Sequence, residues 1–237
     1  MPTYILTAKA GFDAPLTLAS EDEHHLVRVM RASIGASVSV TDNRGQIGEA
    51  IITNLRPLEL KLEKVELGPT PLPIHLVLSL IEPKAMDLAV RQLTELNVAS
   101  VSFALTARCQ KKDLPVSTIE RFHAVARAAQ IQCGRCVPLI LGELKSLKAW
   151  VDEAAGLGVF ASLRFPVSDA LKPSVEKSAR SLFAFVGPEG GFTREEETLL
   201  AESGLKPISL GATILRAETA AVVLAGVISC LFDSLKQ

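Results

Sequence analysis

The residues best suited to chemistry lie towards the C-terminus, in Gly187-Pro188-Glu189-Gly190-Gly191-Phe192. An apolar run, Leu182-Phe183-Ala184-Phe185-Val186, precedes them and reads as a short buried strand. Thr193-Arg194-Glu195-Glu196 follows as a helix start, with Thr193 as cap and Glu196 three residues on, the spacing of a capping box. Glycines between a strand and a helix leave backbone N–H groups open to a ligand, because no Cβ stands in the way. A second turn of this kind runs through Ile208-Ser209-Leu210-Gly211 and Ile214-Leu215-Arg216-Ala217-Glu218-Thr219 into a long apolar helix. Two backbone-rich loops on neighbouring strand ends can clamp one flat ligand between them.

Taken alone, glycines after strands are ordinary turn chemistry. The spacing is neither G-x-G-x-x-G nor G-x-x-x-x-G-K-[ST], which excludes the dinucleotide fingerprint and the P-loop. A carboxylate at Glu189 can attract a cationic ligand, act as a base, or hydrogen-bond loop N–H groups; Pro188 and the glycines leave donors that favour the last. Cys133-Gly134-Arg135-Cys136 is a C-x-x-C, but it closes a helix instead of opening one, and only Cys109 and Cys230 remain to complete a zinc site. Redox and metal roles are therefore disfavoured there. His24-His25-Leu26-Val27-Arg28-Val29-Met30-Arg31 is the main basic cluster of the N-terminal part and by itself reads as a solvated helix face. Arg28 and Arg31, three apart, can share that face.

The elements that must position these residues fall into two blocks. Residues 3–6, 37–42, 46–55 and 58–67 read as strands around a short helix at residues 20–30, a small β-barrel filling residues 1–70. Pro69, Pro71 and Pro73 form a stiff connector and mark the boundary. Across residues 74–237 strands alternate with helices. Strands are expected at 74–81, 98–105, 137–141, 157–162 and 182–186, and helices at 85–96, 118–132, 147–155 and 218–235. Such alternation indicates an α/β fold with a parallel sheet, whose ligands lie beyond the carboxyl ends of the strands. The 237 residues are 48% hydrophobic, ample for two cores, with a formal net charge of −1 and a pI near 6.4. That balance does not itself suggest nucleic acid, although a local basic patch can still attract phosphates. No apolar run is long enough for a membrane span, and four cysteines suit a reducing compartment, so a cytoplasmic location without membrane or metal partners is expected.

GPEGGF followed by LGATILRAETA resembles the C-terminal signature of the SPOUT-class RNA methyltransferases. More narrowly, the chain resembles the bacterial family that methylates N3 of a uridine in the decoding region of 16S ribosomal RNA. His25, Arg28 and Arg31 match that family's H-L-x-R-V-L-R block, in a domain similar to RNA-gripping PUA barrels. Lys84, Met86, Asp87, Arg91 and Thr94-Glu95-Leu96 resemble a second family segment, with Arg91-Gln92-Leu93 replacing a usual lysine context and Asn97 replacing a glycine. Asparagine tolerates the left-handed conformation that ends a helix, so the last exchange is mild. Gln130-Ile131-Gln132-Cys133-Gly134-Arg135 resembles A-x-E-Q-S-G-R, and Arg108 stands where the family has an arginine after its second strand.

The resemblance implies a trefoil-knotted α/β domain that binds S-adenosyl-L-methionine and pairs as a homodimer through the final helix, an apolar helix whose small residues Ala221, Ala225 and Gly226 suit close helix–helix contact. It implies cofactor binding by Val186, Gly187, Pro188, Glu189, Gly190, Gly191, Leu210, Gly211, Ile214, Leu215, Ala217 and Thr219. Arg216 and Arg108 are the implied catalytic groups, and His25, Arg28, Arg31, Lys84 and Arg135 the implied RNA contacts. The implied partner is 16S ribosomal RNA or the assembled small subunit. Three other readings stay open at this level: methylation of another RNA position, a non-catalytic RNA-binding module, and a nicotinamide enzyme that lacks its glycine fingerprint.

Overall fold

The computed structural model describes residues 5–9, 11–12, 16–29, 31–164 and 181–234. The chain divides into two compact units, Met1–Thr70 with Arg127–Pro138, and Pro71–Ala126 with Leu139–Gln237.

In the first unit, β1 (Ile5–Thr7), β2 (Ser37–Thr41), β3 (Gln46–Leu55) and β4 (Leu58–Leu67) form a sheet in chain order. β1 runs parallel to β2, and the other pairings are antiparallel. Leu6, Leu18, Leu26, Val40, Ala50 and Ile52 pack into its core. The turn between β2 and β3 is set by Asp42, whose Oδ1 accepts from Arg44 N at 2.8 Å and Gln46 N at 2.9 Å, while Asn43 takes φ 59°. Helix α1 (Ser20–His24) starts at the expected residue, and Glu23 N donates to Ala19 O. It then widens into a π turn, His25–Val29, and Arg31 leaves with φ 50°. With a π turn at Arg28 and left-handed backbone at Arg31, the three-residue spacing does not align the two on one helical face. Part of the expected first strand, residues 3 and 4, and Met30 of the expected helix lie outside the described residues.

The segment Arg127–Pro138 is fastened to this unit by polar bonds. Gln130 Nε2 donates to Asn43 Oδ1 at 2.7 Å, and Thr41 Oγ1 donates to the Cys136 carbonyl at 3.1 Å. Arg127 Nη2 meets Asp22 Oδ2 at 3.2 Å, and Asp22, 2% exposed, also accepts from Thr7 N. That cation and that N–H offset the cost of burying the carboxylate.

The second unit is built on β5 (Leu72–Ser79), β6 (Val98–Leu105), β7 (Ile140–Ser146), β8 (Gly158–Ala161), β9 (Leu182–Val186) and β10 (Lys206–Ile208). Their order is β10-β8-β9-β5-β6-β7, and every pairing is parallel. Side chains alternate between the faces. Leu76, Leu78, Val159, Ala184 and Val186 join the core under α2 (Pro83–Glu95), α3 (Val116–Cys133) and α6 (Ala217–Ser234). Val77, Ala104, Phe160 and Phe185 face α4 (Leu147–Ala154) and α5 (Arg194–Glu202). This is the sheet with helices on both faces that the alternation predicts.

Several boundaries move for physical reasons. α2 opens at Pro83, because proline suits the first helical position and the Glu82 carboxylate caps Lys84 N and Ala85 N. α3 starts at Val116, ahead of the expected 118, so Ser117 lies inside the helix. β7 starts at Ile140 instead of 137, since the Val137 and Pro138 carbonyls accept from the Arg135 guanidinium. Asn97 does adopt the left-handed conformation, at φ 57°. On α6, Ala221, Leu224, Ala225 and Ile228 are fully buried against this chain's own sheet and α2. Ala221 is thus a core residue here, and not the contact residue expected from the apolar helix. The side of α6 left open carries Thr219, Val227 and Cys230, with Val227 43% exposed.

Candidate active site

A cleft of about 290 Å³ opens at the carboxyl ends of β8, β9 and β10. Its first wall begins where β9 ends at Val186. A Cβ on Gly187 would lie 2.9 Å from Phe192 N and 3.1 Å from the Gly191 carbonyl carbon, so the chain can fold back this tightly only with glycine. Gly191 N donates to Pro188 O at 2.8 Å, closing the turn, with Gly191 at φ 66°. Phe192 is buried edge-on to Phe160, and Thr193 and Glu196 form the expected capping box of α5.

Neighbouring loops brace this wall. Glu189 Oε1 accepts from Glu82 N at 2.8 Å, so its carboxylate clasps the start of α2 to the glycine turn. Arg108 Nη1 donates to Gly190 O at 2.6 Å and Phe192 O at 3.3 Å. Glu196 Oε1 accepts from Ala107 N at 2.7 Å. The second wall is the loop after β10, where Gly211 has φ 137° and Ile214 stands 80% exposed. Arg216 O accepts from Ala220 N at 2.8 Å, so Arg216 sits at the cap of α6 with its side chain exposed.

Val186, Gly187, Pro188, Glu189, Gly190, Gly191, Leu210, Gly211, Ile214, Leu215 and Ala217 all border the cleft, as does Arg108. Thr219 and Arg216 do not border it; Thr219 lies on the open side of α6. Arg28, Arg31 and Lys84 are exposed, and the His25 side chain lies outside the described residues. Arg135 is 2% exposed and spends its guanidinium on the Val137 and Pro138 carbonyls. Burial pushes its pKa down to about 10. That places it inside the fold and not on an RNA-facing surface.

Sequence reasoning missed a third wall, made by Ser162, Leu163 and Arg164 after β8 and by Glu197 from α5. The glycine loops are not on adjacent strands: β8 lies between β10 and β9, so its end emerges between them. Only the rule that ligands gather at strand carboxyl ends pointed there, because β8 ends without glycine. Among the described residues no group of three or more His, Cys, Asp or Glu side chains is placed to hold a metal, and no helix is long and apolar enough to cross a membrane.

Comparisons with known proteins agree with this fold. A family model for an RNA methyltransferase domain matches residues 68–229, more than half of the chain, and one for an RNA methyltransferase PUA domain matches residues 18–65. A ribosomal RNA small subunit methyltransferase E of Synechocystis is 31% identical over 233 residues, spanning 94% of this chain and 75% of the relative. Its counterpart from Rickettsia conorii is 28% identical, spanning 92% of this chain and 90% of its own. A Legionella pneumophila methyltransferase solved with bound cofactor SAM superposes with a TM-score of 0.83 at 25% identity, over 97% of this chain and 98% of that one. A ribosomal RNA small subunit methyltransferase E from Neisseria gonorrhoeae, bound to S-adenosyl methionine, shares the fold at 22% identity and a TM-score of 0.82, over 98% of both chains. The PUA-like first unit, the parallel sheet with its cleft, and relatives matched along nearly the whole length lead to one conclusion: the chain belongs to the ribosomal RNA small subunit methyltransferase E family of RNA methyltransferases.

Proposed function

We propose that this chain methylates N3 of a uridine in 16S ribosomal RNA, using S-adenosylmethionine held in the cleft of the second unit. The observation that carries the reading is bare backbone at the ends of β9 and β10, in a chain of this family. The residues fit the group. The cleft is near the lower end of the roughly 300–1,000 Å³ usual for small-molecule sites, and Gly187, Gly190, Gly191 and Gly211 border it without side chains. Gly187, Gly190, Gly191 and Gly211 would offer backbone to the adenosine, and Val186, Leu210, Ile214 and Leu215 would supply apolar contact. When bound, the cofactor supplies a methyl group already activated by its sulfonium.

The chain's own work is then to hold, orient and exclude water, and to ease departure of the imide proton. Arg108 fixes the glycine turn through two carbonyls, and Glu189, already engaged with Glu82 N, acts as a clasp and not as a base. Arg216, exposed at the start of α6, is the group we assign to the negative charge that develops on uracil oxygens. N3 lies on the Watson–Crick edge, so the target must be unpaired or flipped out, which favours folded ribosomal RNA or the assembled small subunit as substrate. Exposed Arg28, Arg31 and Lys84 are the proposed phosphate contacts. The knotted path and a homodimer joined through the open side of α6 belong to the same reading, as does a cytoplasmic workplace beside the ribosome.

The test is nucleoside mass spectrometry of 16S ribosomal RNA from a strain deleted for this gene, before and after complementation. Loss and return of N3-methyluridine is the expected result. An unchanged N3-methyluridine content, with another methylated nucleoside lost, would move the activity to a different position.

A further inference from the structure

The third wall of the cleft carries a feature that the glycine loops lack: opposite charges side by side. Glu197 is 7% exposed; its Oε1 accepts from the Ser162 hydroxyl at 2.7 Å, and its Oε2 meets Arg164 Nη1 at 3.2 Å. Ser162 Oγ in turn accepts from Arg164 N at 3.1 Å, so backbone and side chain hold the group together. Partners of this kind offset the cost of burying a carboxylate. The Arg164 side chain, by contrast, is 42% exposed. A guanidinium has five N–H donors in a planar fork, and among the described residues only Glu197 takes a side-chain donor from this one. The other charges of the cleft are committed, Arg108 to two carbonyls and Glu189 to the Glu82 N–H.

We propose that the Arg164–Glu197 pair reads the zwitterionic amino-acid end of the cofactor, with its carboxylate on the Arg164 fork and its ammonium beside Glu197. The inference rests on the reading of the cleft as the S-adenosylmethionine site. That carboxylate is the cofactor's only anion, and its ammonium stands one carbon away. A paired arginine and glutamate present the complementary order of charges, so both ends are matched without breaking the Arg164–Glu197 contact. Planar bidentate capture of a carboxylate is the geometry a guanidinium favours. The pair sits at the end of β8, between the loops proposed to take the adenosine.

The experiment is titration calorimetry on the full chain with three ligands: S-adenosylmethionine, S-adenosylhomocysteine and 5′-deoxy-5′-methylthioadenosine. The last keeps the adenosine and sulfur but lacks the amino acid. Arg164→Gln is expected to weaken the first two by about tenfold or more and to leave the third within about twofold. Arg164→Lys should recover part of the loss. Because Arg164→Gln strips Glu197 of its cation, the double variant R164Q/E197Q, which removes both charges, serves as the folding-neutral control and should show the same ligand pattern. Equal weakening of all three ligands, or of none, overturns the proposal. Unchanged cofactor affinity with a shallower salt dependence of RNA binding also overturns it, assigning the fork to a phosphate. If the wild-type chain binds none of the three, the reading of the cleft itself fails, before any variant is compared.

Discussion

Replacing Gly187 with alanine isolates close approach from backbone strain, because Gly187 is not among the glycines with positive φ. The added Cβ would lie 2.9 Å from Phe192 N, 3.1 Å from the Gly191 carbonyl carbon and 3.2 Å from Gly191 Cα. All three neighbours are backbone, inside a turn closed by the Gly191 N to Pro188 O bond. Reaching ordinary contact near 3.4 Å requires the turn to open by about half an ångström, and forced insertion of this kind costs about 1–3 kcal/mol. If the ligand needs the closed turn, that cost reappears as a loss of affinity of roughly 5- to 150-fold. Two other glycines set the scale. At Gly190 the Cβ would meet only the Arg108 side chain, with Cδ at 3.2 Å, Cβ at 3.5 Å and Cγ at 3.9 Å, which needs to give by no more than a few tenths of an ångström, so Gly190→Ala should change affinity by no more than about threefold. At Gly211 nothing lies within 4 Å, but φ is 137°, so Gly211→Ala is strained by about 1–3 kcal/mol through backbone alone and should fall with Gly187→Ala. Calorimetry with S-adenosylhomocysteine measures the ranking, and circular dichroism confirms that each variant folds. A folded Gly187→Ala protein with wild-type affinity, or a Gly190→Ala protein damaged as badly, would refute the steric argument.

Three further outcomes test other parts of the molecule. Arg216→Lys should keep cofactor affinity but lower the single-turnover methylation rate by about tenfold or more, since lysine keeps the charge and loses the fork; a rate within about twofold removes Arg216 from the chemistry. Arg28→Ala combined with Arg31→Ala should weaken RNA binding and reduce its salt slope by about two counterions' worth, with cofactor affinity constant; an unchanged slope in a filter-binding series moves the grip elsewhere. Val227→Glu, on the open side of α6 and 43% exposed within its own chain, should leave the fold intact and convert a dimer to monomer in sedimentation. A folded variant that associates like the wild type would clear this face of any role in pairing. Ala221→Arg cannot serve the same purpose, because Ala221 is fully buried in the chain's own core.

What the sequence determined by itself was set within a few residues. The glycine turn after Leu182–Val186, the capping box of Thr193 and Glu196, and the left-handed Asn97 each depend on short-range sterics and hydrogen bonds, which neighbouring residue types dictate. The alternation of strands and helices likewise announced a parallel sheet before any strand order was known. Tertiary structure decided the rest. Nothing local reveals that β8 lies between β10 and β9, so Ser162 and Arg164 joined the cleft only once the sheet was assembled. Glu197 is one more acid in an acidic helix start until folding buries it beside Ser162. Arg135 reads as a surface cation until its guanidinium is seen closing on the Val137 and Pro138 carbonyls. The Ala217–Ser234 helix is apolar nearly all round, so periodicity could not tell its covered face from its open one. Packing on α2, β5 and β9 made that choice, because burial is a property of neighbours brought together from distant parts of the chain.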